Sequence, residues 1–477
     1  MKLKFAVITL ILTFSCGLVK AQKKWNLKTV VEYAMENNLV VKQSQIQLSL
    51  SELNYKQAKL SLIPNVNFST GASLNSGSNQ DPTNFGRITQ TYVATNLQLQ
   101  SSADIFNFYS KRNTILANEW DLKAAKAGVD KAKNDIALTA ANTFLQILLA
   151  MEQQKIASVQ IKQTTDQLAN TRKMVDAGTL PELNASQLEA QLALDSVNFI
   201  TAKGNVLQAT LQLKSYLNID AAEPFEVEAP SVESIPLEPI ADLQPEYVYD
   251  MALKNQPLQK VNEYNLQAAK KYVAAAKGSM LPTLSAFGSL GSGYNNQAME
   301  IAGITQFIAP VGSVQVGGVS YDVFPNQPFT NYSYSKTGFT SQLSDNFRQS
   351  IGLNLSVPIF NSGSLKTAYL KSKLNVKSAE LAKVIDDQNL KQDIYSAYNS
   401  AVISLEKFNA SKKNQEINEK TFEYATKRFD VGMLSTFDLI TTQNNLLRAK
   451  LENTINLFDY VFKMKVLEFY KGEGLKL

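Results

Sequence analysis

Two hydrophobic periodicities run along the chain, and each occurs in two separate regions. Val66, Phe68, Thr70, Ala72 and Leu74 alternate with Asn65, Asn67, Ser69, Gly71, Ser73 and Asn75. Val93, Thr95, Leu97 and Leu99 alternate with Asn96, Gln98 and Gln100. Much later, Ile351, Leu353, Leu355 and Val357 alternate with Ser350, Gly352, Asn354 and Ser356. A rougher run covers Leu284 to Leu290, where Phe287 falls on the polar phase. A period of two makes one face of a strand apolar and leaves the other wet. The pattern predicts four strands in two hairpins, at about 65–100 and about 283–358. Elsewhere the period is helical: Ala140, Phe144, Leu148 and Met151 recur at turn spacing, as do Ile394, Tyr398, Val402 and Leu405. No proline lies between Pro82 and Pro181, and none follows Pro358. A helix from about Tyr109 to Asp176 would extend roughly 100 Å, too long for a compact domain. Narrow apolar seams among Gln, Asn, Ser, Lys and Ala suit coiled-coil-like packing, with another face left in water.

The two regions are copies of one unit. Ala34 and Asn37 align with Ala252 and Asn255, and Pro64 with Pro282, all at an offset of 218. "DIFN" from Asp104 aligns with "PIFN" from Pro358 at an offset of 254, which then holds for Phe144/Tyr398, Gly178/Gly432 and Tyr216/Tyr470. The second copy therefore carries 36 extra residues between Gly293 and about Asp345. We divide the chain into a leader (1–21), a first repeat (22–235) and a second repeat (236–477). The inserted segment 294–345 is rich in Gly, Ser, Asn and aromatics; lying between two strands, it is expected to form an enlarged extracellular loop with room for an added hairpin.

One phrase recurs in the middle of the helical stretches: "KMVDAGTLPELN" from Lys173 and "KRFDVGMLSTFD" from Lys427. Gly178 and Gly432 suit the left-handed position that ends a helix. Thr179 with Glu182 resembles a capping box and Pro181 fits a first turn; in the second copy Ser435 or Thr436 caps, and Asp438 sits near the helix N-terminus. Each phrase is expected to be the tip of a long helical hairpin.

Composition narrows the chemistry. Lys2 and Lys4 precede the apolar run Phe5–Leu18, and Val19 and Ala21 are small, a pattern expected of an export leader cut before Gln22. The only cysteine, Cys16, lies in that leader, with lipidation as an alternative fate. The chain has no histidine, so imidazole and thiol catalysis and most transition-metal sites are unavailable, and no cofactor is expected. Removing the leader's three lysines lowers the net charge from +5 to +2, which gives no support to nucleic-acid binding. No later segment has eighteen consecutive apolar residues, leaving only a β-type membrane span. Four strands cannot close a barrel alone, because open edges leave backbone groups unpaired in lipid. The chain must contribute a fraction of a shared barrel, and symmetry points to a ring of copies.

With these features the mature chain resembles the TolC-type outer-membrane efflux proteins. The markers are the duplicated halves, "WNLKTVVEYAMENN" from Trp25, the strand entries "LIPNV" and "MLPTL", "VPIFNSGS" from Val357, and "KRFDVGMLSTFDLITTQNNLLRAK" from Lys427. The resemblance implies a mixed α and β membrane protein: a homotrimer with a twelve-stranded transmembrane β-barrel in outer-membrane lipid, four strands per chain, continued by a long periplasmic α-helical barrel. It implies a passive exit duct that docks a periplasmic adaptor (membrane fusion) protein coupled to an inner-membrane transporter. By this resemblance Gly178, Thr179, Leu180 and Pro181, and Gly432, Met433, Leu434 and Ser435, are the adaptor-facing tips. Acidic residues six and nine positions after the second tip glycine narrow the periplasmic mouth in the family; here they are Asp438 and Thr441, and the first-copy match to Asp438 is Asn184. The family's arginine two positions after that glycine is Leu434. Asp438 is read either as a carboxylate ring weakly selecting cations or as a residue favouring its own helix N-terminus. Drug efflux, metal-ion efflux and type I protein secretion share all of these features.

The remaining candidates point to structure. Asp386-Asp387 are adjacent on a helix, share no face and are expected on a solvated surface. Tyr395 and Tyr398 are expected to pack between helices, and the Gly-Gly in "VQVGGVSYD" from Val314 fits no phosphate-binding pattern. A non-conducting periplasmic coiled-coil scaffold is the competing reading, opposed by the alternating strands. A carboxylate-dependent hydrolase would need paired acids in a cleft, and the sequence shows none.

Overall fold

The computed structural model describes residues 24–81, 85–228 and 235–472; the leader with Cys16 lies outside the described residues. In chain order the elements are α1 (Leu27–Asn37), α2 (Leu39–Leu60), β1 (Asn65–Gln80), β2 (Arg87–Phe106), α3 (Ser110–Asp176) and α4 (Glu182–Leu217). Then come α5 (Pro245–Asn255), α6 (Pro257–Gly278), β3 (Thr283–Asn295), β4 (Met299–Phe307), β5 (Gly312–Val316), β6 (Val319–Val323) and β7 (Phe329–Lys336). The chain ends with α7 (Phe339–Asp345), β8 (Arg348–Ser356), α8 (Ser364–Asp430) and α9 (Thr436–Tyr470). The duplication is exact at helix starts: α5 and α6 begin 218 residues after α1 and α2, and α8 and α9 begin 254 after α3 and α4. Both α3 and α8 run 67 residues without a break.

The elements sort into two compact units, a helical one (24–55, 117–270 and 374–472 of the described residues) and a strand-bearing one (56–116 and 271–373). In the helical unit the repeats build equivalent cores. Val30, Ala34, Ala140, Phe144 and Leu213 are buried together, and so are their counterparts Val248, Ala252, Ile394 and Leu467, with Tyr398 packed against them. Trp25 pairs with Val227 and stacks on Phe225 with ring centroids 5.1 Å apart. Near the end of α9, Lys465 and Glu468 form a buried ion pair at 2.7 Å, and Glu468 also accepts from the Glu238 backbone N–H at 2.9 Å. Tyr395 and Tyr398 do lie between helices: Tyr395 donates to Glu246 at 2.5 Å, and Gln244 donates to the Tyr398 hydroxyl at 3.3 Å. The Tyr395–Glu246 bond raises the Tyr395 pKa and lowers that of Glu246. The Asp386-Asp387 pair departs from the solvated surface expected of it. Asp386 accepts from Asn262 at 2.7 Å across a helix seam, and Asp387 Oδ1 is buried with no hydrogen-bond partner among the described residues. Adjacent helical residues point different ways, but both directions here meet a neighbouring helix.

In the strand unit, β1-β2-β3-β8 form one antiparallel sheet in that order, with β1 and β8 as its edges. The register keeps the phases aligned: Phe68 faces Leu99, Leu99 faces Leu290, and Ala286 faces Leu353. Asn67, Gln100 and Ser289 fall on the opposite face, and β2 extends beyond the expected end to Phe106. Phe287 stays on the polar face because its ring covers Gly352 opposite; a Cβ there would stand 2.8 Å from Phe287 Cζ. At the strand-to-helix turns, Phe108-Tyr109 and their counterparts Ser362-Gly363 all have positive φ. Non-glycine residues in this conformation cost about 1–2 kcal/mol each, and the Phe106, Phe108 and Tyr109 rings cluster there, with centroids 4.8 and 5.9 Å apart. The segment expected to be an enlarged loop has order of its own: β4 pairs with β7, β5–β6 nest between them, and α7 returns to β3. The buried Gln342 fixes that return by donating to Asn295 O and accepting from Asn295 N–H, at 2.9 and 2.8 Å.

Candidate functional site

Both hairpin tips are built by the same backbone device. Gly178 and Gly432 have φ of +70° and +74°. Thr179 N–H reaches Met174 O at 2.9 Å and Gly178 N–H reaches Val175 O at 2.8 Å. The second tip repeats the pair, Met433 to Arg428 at 2.8 Å and Gly432 to Phe429 at 2.9 Å. This double closure satisfies carbonyls that a helix end leaves orphaned and needs a left-handed residue at the glycine. The entries to the returning helices differ. Ser435 caps α9, accepting from Asp438 N–H at 3.1 Å and donating to its carboxylate at 2.7 Å. The capping box expected at Thr179 and Glu182 is not formed: the N-cap is Pro181, and the Thr179 hydroxyl donates back to Met174 O at 2.7 Å. With Pro181 as the cap, the helix starts two residues later than a Thr179 cap would set it.

The expected tip residues separate by exposure. Gly178, Thr179, Pro181, Gly432, Met433 and Ser435 are exposed, whereas Leu180 and Leu434 are half-buried. Leu434 packs on Ala425, Phe429 and Leu439 of its own hairpin. The periodicity missed three exposed apolar side chains: Leu183 and its counterpart Phe437, 65% and 67% exposed, and Val431 at 68%. The signal was present in the sequence, since a large apolar residue follows each tip five positions after the glycine. Asp438 and Thr441 lie one turn apart on α9 and are exposed, while Asn184 is half-buried on α4. Thr441 donates to Phe437 O at 2.8 Å, and no side-chain hydrogen bond joins Asn184 to Asp438 or Thr441 among the described residues.

Farther along the hairpins, a buried polar network joins α3, α4 and α9. Thr164 donates to Asp195 at 2.6 Å, Gln191 donates to the other Asp195 oxygen at 2.8 Å, and Gln443 donates to Thr164 at 3.1 Å. Gln191 and Asn444 exchange two bonds at 3.2 Å. These long-range pairings lock one helix register across the two repeats, and sequence periodicity carries no trace of them.

The sheet is the second functional surface. Its apolar phase is bare in the single chain: Leu74 is 72% exposed and Ile351 91% exposed. No helix of the described residues is long and apolar enough to cross a membrane.

Comparison with known proteins identifies the family. The model of the outer membrane efflux protein family matches residues 30–218 and 248–454. The chain is 21% identical over 457 residues to the toluene efflux pump outer membrane protein TtgC of Pseudomonas putida, covering 92% of this chain and 82% of that protein. It is 19% identical over 421 residues to the outer membrane efflux protein BepC of Brucella suis, covering 88% and 79%. Among solved structures, CusC superposes with a TM-score of 0.74 at 14% identity over 96% of both chains. The Campylobacter jejuni CmeC outer membrane channel gives 0.71 at 17% identity, over 94% of this chain and 87% of that one. The matched family segments fall on both halves of the duplication, and the chain belongs to the outer membrane efflux protein family.

Proposed function

We propose that three copies of the chain close one twelve-stranded barrel in the outer membrane and that their helical hairpins form the periplasmic part of the same exit duct. The carrying observation is the open four-stranded sheet, apolar on one face and polar on the other. Alternate residues of the sixteen in β1 turn their N–H and C=O groups to its free edge. Each such group left unpaired in hydrocarbon costs several kcal/mol. Because β8 runs antiparallel to β1 through the sheet, β8 of one copy pairs with β1 of the next in the same sense as every other neighbour. Two copies would give eight strands, an interior filled by side chains; three are the fewest that leave a water-filled bore.

In this reading the duct is a passive conduit with no chemistry of its own, driven by an inner-membrane transporter through a periplasmic adaptor. Met433, Phe437, Val431 and Leu183, with the glycine turns, supply an apolar tip surface for the adaptor. Asp438, Thr441 and Asn184 belong to the periplasmic mouth. The repeat boundary is kept at 235/236, ahead of α5, which begins 218 residues after α1. Two measurements test the reading together: the mass of the detergent-solubilised protein, expected at three chains, and ion conductance in a planar bilayer. A monomer that never conducts favours the periplasmic scaffold instead.

A further inference from the structure

The strand unit carries a charge pattern that the exit-duct reading leaves unused. Its residues hold twelve lysines and arginines against five acids, a net +7, whereas the rest of the chain beyond residue 21 holds thirty-two against thirty-seven, a net −5. The four segments that flank the sheet strands (56–64, 107–116, 271–282 and 357–373) contain nine of those cations and no acid. Within the four-stranded sheet only Arg87, Asp104 and Arg348 are charged. Asp104 is neutralised by Lys111 at 2.8 Å, and Arg87 begins β2 on the apolar phase. Arg348 is different. It lies on the polar phase of β8, in register with Gly291, and is exposed. It borders a hollow of about 650 Å³ lined by Asn96, Gln98, Ser289, Gly293 and Ser350. Among the described residues its guanidinium has no ion pair and no side-chain hydrogen bond, and Asp345 at the end of α7 does not reach it.

Resting on the trimeric reading, we propose that Arg348, supplied once by each copy, forms a cationic ring inside the barrel that makes the duct prefer anionic solutes. The polar phase of a spanning sheet faces the lumen, since an arginine toward lipid at mid-membrane costs about 2–4 kcal/mol. Twelve strands spaced about 4.8 Å apart and tilted about 40° place the wall about 12 Å from the axis. The side chain projects inward from that wall, and electrostatic screening acts over about 8 Å at physiological salt, so the ring's field covers much of the bore. Rings of like charge set ion preference in this way. The duplication supplies no second ring, because the first-repeat counterpart of Arg348 is Ala94. The acid-free flanks add positive potential at the strand ends and oppose nothing in the ring.

The test is the reversal potential of purified channels in a planar bilayer under a tenfold KCl gradient. Wild type should reverse toward the chloride equilibrium potential. R348K should keep that sign, R348Q should move it toward zero, and R348E should carry it toward potassium. The spread among variants should be larger near 0.1 M than near 1 M salt, because the screening length falls from about 10 Å to about 3 Å. A wild-type preference for potassium overturns the proposal without any variant, as does an identical reversal potential in wild type, R348Q and R348E. Absence of channels from wild type overturns the duct reading itself.

Discussion

The Thr164 hydroxyl donates to the Asp195 carboxylate at 2.6 Å in a seam where neither side chain is more than 1% exposed. Thr164 lies on the outgoing helix of the first hairpin and Asp195 on its returning helix, and Gln443 of the second repeat closes on the same threonine. A buried carboxylate is tolerated only where donors satisfy it. Asp195→Ala strands the Thr164 and Gln191 donors and should destabilise the protein by about 2–4 kcal/mol. Asp195→Asn keeps an acceptor and should lose less. Thermal melts followed by circular dichroism rank the two variants, and equal melting temperatures for Asp195→Ala and wild type would contradict the network's role.

Glu468 should be the most sensitive position near the end of α9. It holds Lys465 and the Glu238 backbone N–H in a nearly water-free site. Glu468→Ala removes the carboxylate from this buried ion pair and should cost about 3–5 kcal/mol. Replacing both partners, Lys465→Met with Glu468→Leu, should recover most of that loss. Unfolding midpoints of the single and double variants decide it.

The tips should separate strain from recognition. Gly432→Ala forces an alanine to φ +74° and should cost about 1–2 kcal/mol locally. Phe437→Ala removes an exposed ring and should change stability by less than about 0.5 kcal/mol, yet weaken the adaptor complex. Crosslinking of the adaptor to the tips in cells, beside melting curves of the same variants, distinguishes the two effects. Undiminished crosslinking of a Phe437→Ala, Leu183→Ala double variant would remove these side chains from the docking surface.

Phe287 and Gly352 should behave as a pair. Gly352→Ala places a methyl 2.8 Å from the Phe287 ring and should lower the yield of assembled oligomer. Adding Phe287→Ala removes the clash and should restore assembly, read by native mass in detergent. If the single and double variants assemble equally poorly, the packing account of this pair fails.

Acid should loosen one helix contact in a defined direction. Glu263 accepts from Gln267 and pairs with Lys383 at 3.0 Å, and these contacts hold its pKa below the ordinary 4.5. A carboxyl with a depressed folded pKa contributes stability above its unfolded pKa, and that stability is lost as pH falls through the folded value. Wild type should therefore lose melting temperature below about pH 4.5 more steeply than Glu263→Gln. The difference should be small and salt-sensitive, because both side chains are over a third exposed. Melts at several pH values and two salt concentrations test it.

Much of the architecture was legible because it depends on local and repeated physics. Alternation at Val66–Leu74 and Ile351–Leu355 marks a two-sided sheet, whatever lies around it. Missing prolines and seams at Ala140–Met151 and Ile394–Leu405 mark two very long helices, and both proved to be 67 residues. Glycine at 178 and 432 marks a helix end, because only a residue without a side chain takes the left-handed turn without strain. Even the constant offsets of 218 and 254 survive as equal element starts, since two copies of one unit bury equivalent positions.

Tertiary structure decided what depends on partners distant in sequence. Phe287 looked out of phase until Gly352 opposite supplied the space for its ring. Asp195, Gln191 and Gln443 read as ordinary polar helix residues, and only packing of three helices makes them a water-excluded network. Asp386-Asp387 read as solvated because a sequence cannot show that Asn262 faces one of them. The tips divided into exposed Met433 and half-buried Leu434 for the same reason: neighbouring residues of one turn point in different directions, and only the fold fixes which direction meets a helix and which meets water.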